Sequence, residues 1–206
     1  MAEGPLIDGE GAVAARKKLK DLKALTTWVK AVQDFRAKFD TTDSDWVGTL
    51  SLKQKIKDHL AKNPGKGFSL DLFNEIVTWK LNRQEGRTRH TRGAKVTEDL
   101  LRDITTCAFG LQHTTDRDSL TRARLMVLQG IPGVGMGIAS AILALTFPDE
   151  YGVIDDIVWR VIYGTEKESF WIADYRKYLG DLLAASQTLG WPSQEVDFFA
   201  WKMGQK

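Results

Sequence analysis

The chain is poor in the groups that build most metal and redox sites. Of its 206 residues one is cysteine, Cys107, and three are histidine, His59, His90 and His113. A single thiol excludes a disulfide within the chain and any four-cysteine zinc or iron–sulfur centre. The three histidines are scattered without metal-ligand spacing, so no metal site is expected from them. Such sparse cysteine makes an intracellular setting the default. No apolar run approaches the ~20 residues of a membrane span, and the first residues lack the apolar core of a signal peptide, so a membrane association is not expected. Period-two alternation bounded by hairpin turns is also missing, which points to an all-α fold. There is no internal repeat and no low-complexity linker.

Charge is nearly balanced overall, at +2, but not along the chain. Residues 1–147 carry 23 basic against 17 acidic side chains, and residues 148–206 carry 6 against 10. A mildly basic first part permits a nucleic-acid partner without demanding one. What is abundant is apolar and aromatic: 43% hydrophobic residues, with seven Trp and nine Phe, enough for a sizeable core.

Residues 1–20 read as a flexible arm, because the opening MAEGPLIDGEGA has no periodicity. From Leu22 a helical stripe runs through Leu25, Trp28/Val29, Val32, Phe35 and Phe39. The lysines and arginines around it read as a solvated face, with DNA tracking as the alternative. Asp40 to Asp45 is a polar break, and a shorter helix is expected over Leu50–Lys62, ending at Asn63-Pro64-Gly65. Ser69 is placed to cap a helix through Asn82. From Lys80 through Lys95 there are six Lys/Arg, one acid and two glycines with no apolar pattern. Such a stretch is either a solvated loop or a phosphate contact, in which Arg83, Arg87 and Arg89 would neutralise backbone charge without reading sequence.

Thr97 opens the next helix, which closes near Gly110 and carries Cys107 on the side read as apolar, as a buried structural thiol. Asp118 or Ser119 would cap Leu120–Gln129. After it, LQGIPGVGMGIASAILALTF reads as a helix end, a tight glycine turn and an apolar helix over Met136–Phe147 that stops at Pro148. Amides emerging unpaired from a glycine turn at the positive end of a helix favour an anion such as phosphate. The helices Ile157–Tyr163, Lys167–Leu189 and Ser193–Met203 follow. Trp171, Ile172, Tyr175, Tyr178, Leu179 and Leu182 are read as one apolar face of the longest of these.

Ile131-Pro132-Gly133-Val134-Gly135-Met136-Gly137-Ile138-Ala139, followed by Val153-Ile154-Asp155-Asp156-Ile157-Val158-Trp159-Arg160-Val161, resembles the helix-hairpin-helix DNA glycosylase superfamily that includes endonuclease III, MutY and AlkA. That pattern is Leu-Pro-Gly-Val-Gly-x-x-x-Ala, then an aspartate opening the next helix with an arginine after it. The match is strong over about forty residues; elsewhere it extends only to the all-helical layout.

The resemblance implies two helical subdomains flanking a DNA-binding cleft, within residues 21–206. One would span about 66–147 and contain the hairpin; the other would combine 21–65 with 148–206. It implies a monomer that binds double-stranded DNA and cleaves the bond between deoxyribose C1′ and a damaged or modified base, with no cofactor. Asp155 would be the catalytic carboxylate, stabilising a transition state resembling an oxocarbenium ion and orienting water. The base must leave the stack, so a pocket and a grip on the flanking phosphates are needed. The hairpin at Gly133, Val134, Gly135, Met136 and Gly137 would supply the grip, and the carbonyls of Ile131 and Val134 could hold a monovalent cation. Asp155 and Asp156 compete for the alternative duty of capping the next helix. Trp79 and Lys80 would border the pocket, or Trp79 would be ordinary core, and Asn82 or Arg83 would enter the duplex. Strand-cutting members carry a lysine two residues beyond the position of Gly135. Here that residue is Gly137, which implies a monofunctional hydrolase leaving an abasic site; Lys80 could in principle supply the amine instead, but nothing in the sequence argues for it. The competing reading is a non-catalytic hairpin module that only grips the phosphate backbone.

Overall fold

A computed structural model of the chain describes residues 25–81, 96–112 and 116–205. The described residues form helices and connecting turns, with no strand. In chain order these are α1 (residues 25–36), α2 (Ser44–Lys62), α3 (Leu70–Leu81), α4 (Glu98–Gly110), α5 (Arg117–Leu128), α6 (Met136–Thr146), α7 (Asp156–Tyr163), α8 (Ile172–Leu189) and α9 (Ser193–Met203). The all-helical expectation is met. No helix of the described residues is long and apolar enough to cross a membrane.

The apolar helix α6 is the axis of the packing. Nine of its eleven residues are buried, and it lies against α2, α3, α5 and α9. A helix that is hydrophobic all round has no solvent face, so its neighbours must surround it. The core it anchors is continuous from Trp28 on α1 to Ala200 on α9. An aromatic cluster closes one end, where Phe39 meets Phe199 at 5.2 Å between ring centroids and Trp46 stacks on Phe199 at 5.3 Å. Arg36 lies over Trp191 at 4.0 Å from the ring centroid and pairs with Glu195, tying α1 to the start of α9.

Several helix starts differ from the sequence reading, each for a local reason. Helix α2 begins at Ser44, six residues earlier than expected. Asp43 caps it by accepting the amides of Asp45 (3.0 Å) and Trp46 (3.3 Å), so the second half of the supposed polar break is a cap and first turn. Helix α5 is capped by Asp116, upstream of the two residues proposed. Helix α8 begins at Ile172, because the Asp174 carboxylate accepts the Trp171 amide at 2.9 Å and pairs with Lys167 at 3.0 Å. Trp171 consequently leaves the apolar face and is 76% exposed. Cys107 is also a correction: it is exposed. The buried stripe of α4 is Leu101, Thr105 and Ala108, whose spacing turns Cys107 outward. A threonine occupies the core position because its hydroxyl accepts the buried Phe68 amide at 2.8 Å and donates to the Leu101 carbonyl at 2.7 Å.

Candidate functional site

The turn between α5 and α6 forms as its residues suggest. Gly133 has φ +80°, a left-handed conformation that a side chain would strain. The Val134 amide donates to the Ile131 carbonyl at 3.0 Å, closing the turn, and the Val134 and Met136 side chains are buried beneath it. Both residues therefore offer only backbone to a ligand. Gly135 is the N-cap of α6 and supplies no side-chain cap, leaving the first amides of the helix for an outside acceptor. The proposed cation ligands share this turn, and the Ile131 carbonyl already accepts one bond.

Beyond α6 the chain does something rarer. Tyr151, Gly152, Val153 and Ile154 belong to no helix and are all buried. Their backbone groups cannot be left unpaired, and side chains from far along the sequence pair them. The Val153 amide donates to Asp197 at 3.0 Å, and the Ile154 amide donates to Ser140 Oγ at 3.2 Å. The Gly152 carbonyl accepts the Tyr175 hydroxyl at 3.0 Å. Tyr178 donates its hydroxyl to the second oxygen of Asp197. A Cβ on Gly152 would overlap Leu182 and Tyr178, so the backbone approaches α8 as closely as only glycine permits. Burial pushes Asp197 up to about 7, and the neighbouring Asp155 charge adds to this against the hydrogen bonds from Tyr178 and Val153. Burial also holds the Tyr175 and Tyr178 hydroxyls well above the usual tyrosine range.

This buried segment delivers Asp155. Its Oδ1 accepts the Val158 amide at 2.8 Å, so Asp155, rather than Asp156, caps α7. Its Oδ2 accepts from Lys80 Nζ at 2.9 Å, and each side chain of the pair is only 13% exposed. Lys80 comes from the last turn of α3. It reaches Asp155 across Gly137, where an added Cβ would stand 3.6 Å from Lys80 Cε.

Two cavities meet at this pair. One, of about 240 Å³, is walled by Trp79, Thr49, Phe198 and Trp201, with Gln194 and Asp197 among its polar residues. Trp79 donates its indole N–H to Thr49 Oγ1 at 3.1 Å, which fixes the ring against the cavity. The other is a more open groove of about 550 Å³, bordered by Gly133, Gly135, Gly137, Asp156 and the exposed Trp171. Among the described residues Lys80 and Asp155 alone line both.

The structure thus brings together Trp79, Lys80, Asp155 and the hairpin. Asn82, Arg83, Arg87 and Arg89 lie outside the described residues. Sequence reasoning missed Asp197, Gln194, Phe198 and Trp201. A signal was available for one of them, since Asp197 interrupts an otherwise apolar Val196–Ala200 run. Among the described residues no group of His, Cys, Asp and Glu is arranged to hold a metal ion. Comparison of the chain with protein-family models, curated proteins and solved structures finds no match.

Proposed function

We propose that the chain is a DNA glycosylase, cleaving the bond between deoxyribose and a damaged or modified base turned out of a duplex. The observation that carries this reading is the junction of the two cavities at Asp155. A base extruded from a duplex needs an enclosed aromatic pocket, and the phosphates beside it need amides and open space. The sugar lies between base and phosphate, where a carboxylate is required to stabilise positive charge developing at C1′. Here the carboxylate stands between the narrower cavity and the hairpin groove. At about 240 Å³ the cavity is below the roughly 300–1,000 Å³ of drug-sized sites, a size suited to a single ring system. The likeness of the hairpin and of the Asp155 segment to the helix-hairpin-helix glycosylases points the same way.

One observation favours a second reading, a non-catalytic DNA clamp. Both carboxylate oxygens of Asp155 already have partners, an amide and an ammonium, as a purely structural residue would. Asp155→Asn separates the two readings, because asparagine caps a helix as well as aspartate does but carries no charge. The full chain is incubated with duplexes carrying a panel of modified bases, and free base is measured. Base release by the native chain, lost in Asp155→Asn with duplex binding retained, is the expected result. Equal behaviour of the two proteins on every duplex would leave only the clamp.

A further inference from the structure

We propose that Lys53 is a positioning residue that turns the N–H end of the Gln194 carboxamide into the narrower pocket. The pocket then selects a base that presents a carbonyl or an unprotonated ring nitrogen to Gln194, and rejects one that presents an amino group. The proposal rests on the glycosylase reading of that pocket and names the class of base it takes.

Gln194 lines the pocket beside Thr49 and Phe198, and only 1% of it is exposed. It stands in the first turn of α9, where its backbone is fixed. Its amide donates to the Pro148 carbonyl at 2.9 Å, and the adjacent Ser193 hydroxyl donates to the Asp149 carbonyl at 2.9 Å. A carboxamide so buried has an acceptor oxygen and two N–H donors to satisfy. The oxygen accepts from Lys53 Nζ at 3.0 Å. Lys53 lies on α2 one turn beyond Thr49, so one face of that helix supplies both a pocket wall and the ammonium. An ammonium only donates, so the oxygen must meet it and the nitrogen must turn the other way. Among the described residues nothing accepts from that nitrogen, and it is not sealed from solvent, so its N–H groups open to the pocket.

Lys53 is devoted to a neutral partner. It is partly buried and forms no ion pair among the described residues, while the nearby Glu195 pairs with Arg36. Burial pulls Lys53 below the ordinary lysine range, against the charges of Glu195 and Asp149. Withdrawing an ammonium from water for one neutral acceptor returns little stability. Fixing which end of an amide faces a ligand decides what can bind. Opposite a fixed N–H donor, an amino group leaves two buried donors unpaired, whereas a carbonyl satisfies the site. Deamination makes this exchange, since it replaces an amino group by a carbonyl in turning cytosine to uracil and adenine to hypoxanthine.

The test measures binding of the full chain to duplexes with cytosine or uracil, or adenine or hypoxanthine, at one position. That position faces an abasic site, so no base pair has to be broken. Its sugar carries a 2′-fluorine, which disfavours positive charge at C1′ and prevents cleavage. The native chain is expected to bind the carbonyl member of at least one pair about tenfold more tightly. Lys53→Arg, which also only donates, should keep the preference. Lys53→Met removes the charge but keeps the apolar stem, so it folds; it frees the amide to turn over and should abolish the preference. Lys53→Glu accepts instead, draws the nitrogen to itself and should reverse the preference toward the amino member. A lysine needed only for stability would shift unfolding midpoints and leave the ratio alone. No carbonyl preference in the native chain on either pair, or one unchanged in Lys53→Met, would overturn the proposal. Base release from modified duplexes without such a preference would remove the proposal and leave the glycosylase standing. A preference that follows Lys53 without release of any base would do the reverse.

Discussion

Two connections flank the central helix α6, and they are held in opposite ways. The turn before it, residues 129–135, is local. Gly130, Ile131 and Val134 each donate an amide to a carbonyl three residues earlier, and all three of the turn's glycines, Gly130, Gly133 and Gly135, are exposed. The segment after it, residues 151–154, is buried and long-range. Its partners Ser140, Tyr175 and Asp197 lie 14, 23 and 44 residues from the groups they satisfy. The first connection presents bare backbone to the groove, while the second holds Asp155 in place from within. On the proposed reading a phosphate grip would tolerate a self-contained turn, whereas a carboxylate that had to face one atom would need support from several elements. The polar core around Asp197 is that support.

The comparison can be broken most sharply through pH. Asp197 binds its proton more tightly folded, with a value near 7 against an ordinary 3.8. The folded state therefore holds more protons than the unfolded one between these values, and stability falls as pH rises from about 4 through about 7. At about 1.4 kcal/mol per unit the contribution is on the order of 4 kcal/mol. Urea midpoints measured across this range should decline, and Asp197→Asn should flatten the decline. The glycine turn has no titrating side chain, so a slope unaltered in Asp197→Asn would mean that the buried segment is not held by this carboxylate.

A methyl group tests the same contrast sterically. Gly152→Ala would drive a Cβ into Leu182 and Tyr178, with a cost of about 3 kcal/mol from overpacking. Denaturant unfolding measures it, and a change under about 1 kcal/mol would show that the segment yields as an ordinary loop does. The smallest effect belongs to the turn. Gly133→Ala strains a left-handed residue by about 1 kcal/mol. Gly135→Ala, where φ is −91° and nothing lies within 4 Å of an added Cβ, should be nearly neutral in stability. If Gly133→Ala cost as much as Gly152→Ala, the turn would not be the independent unit described.

How much of this was readable in advance follows the same division. Periodicity located α6 and α9 closely, because their apolar spacing is continuous, and the Pro-Gly-Val-Gly turn announced itself by composition. Spacing misplaces the starts of α2, α5 and α8: several acidic and hydroxyl residues compete for the caps of α2 and α5, and α8 opens at Trp171, which supplies no side-chain cap. Spacing puts Cys107 and Trp171 on apolar faces, from which the Thr105 stripe and the later start of α8 turn them away.

By itself the sequence determined an all-helical chain and the hairpin turn, because each depends on residues within a few positions of one another, whereas Asp155 stood out only through the resemblance of its segment. Only the tertiary structure decided that Lys80 pairs with Asp155 from 75 residues away, that Asp197 of α9 holds the segment just before Asp155, and that a narrower pocket and a more open groove share those two residues. Pairing across such separations is set by how helices pack, and one-dimensional spacing carries no record of it.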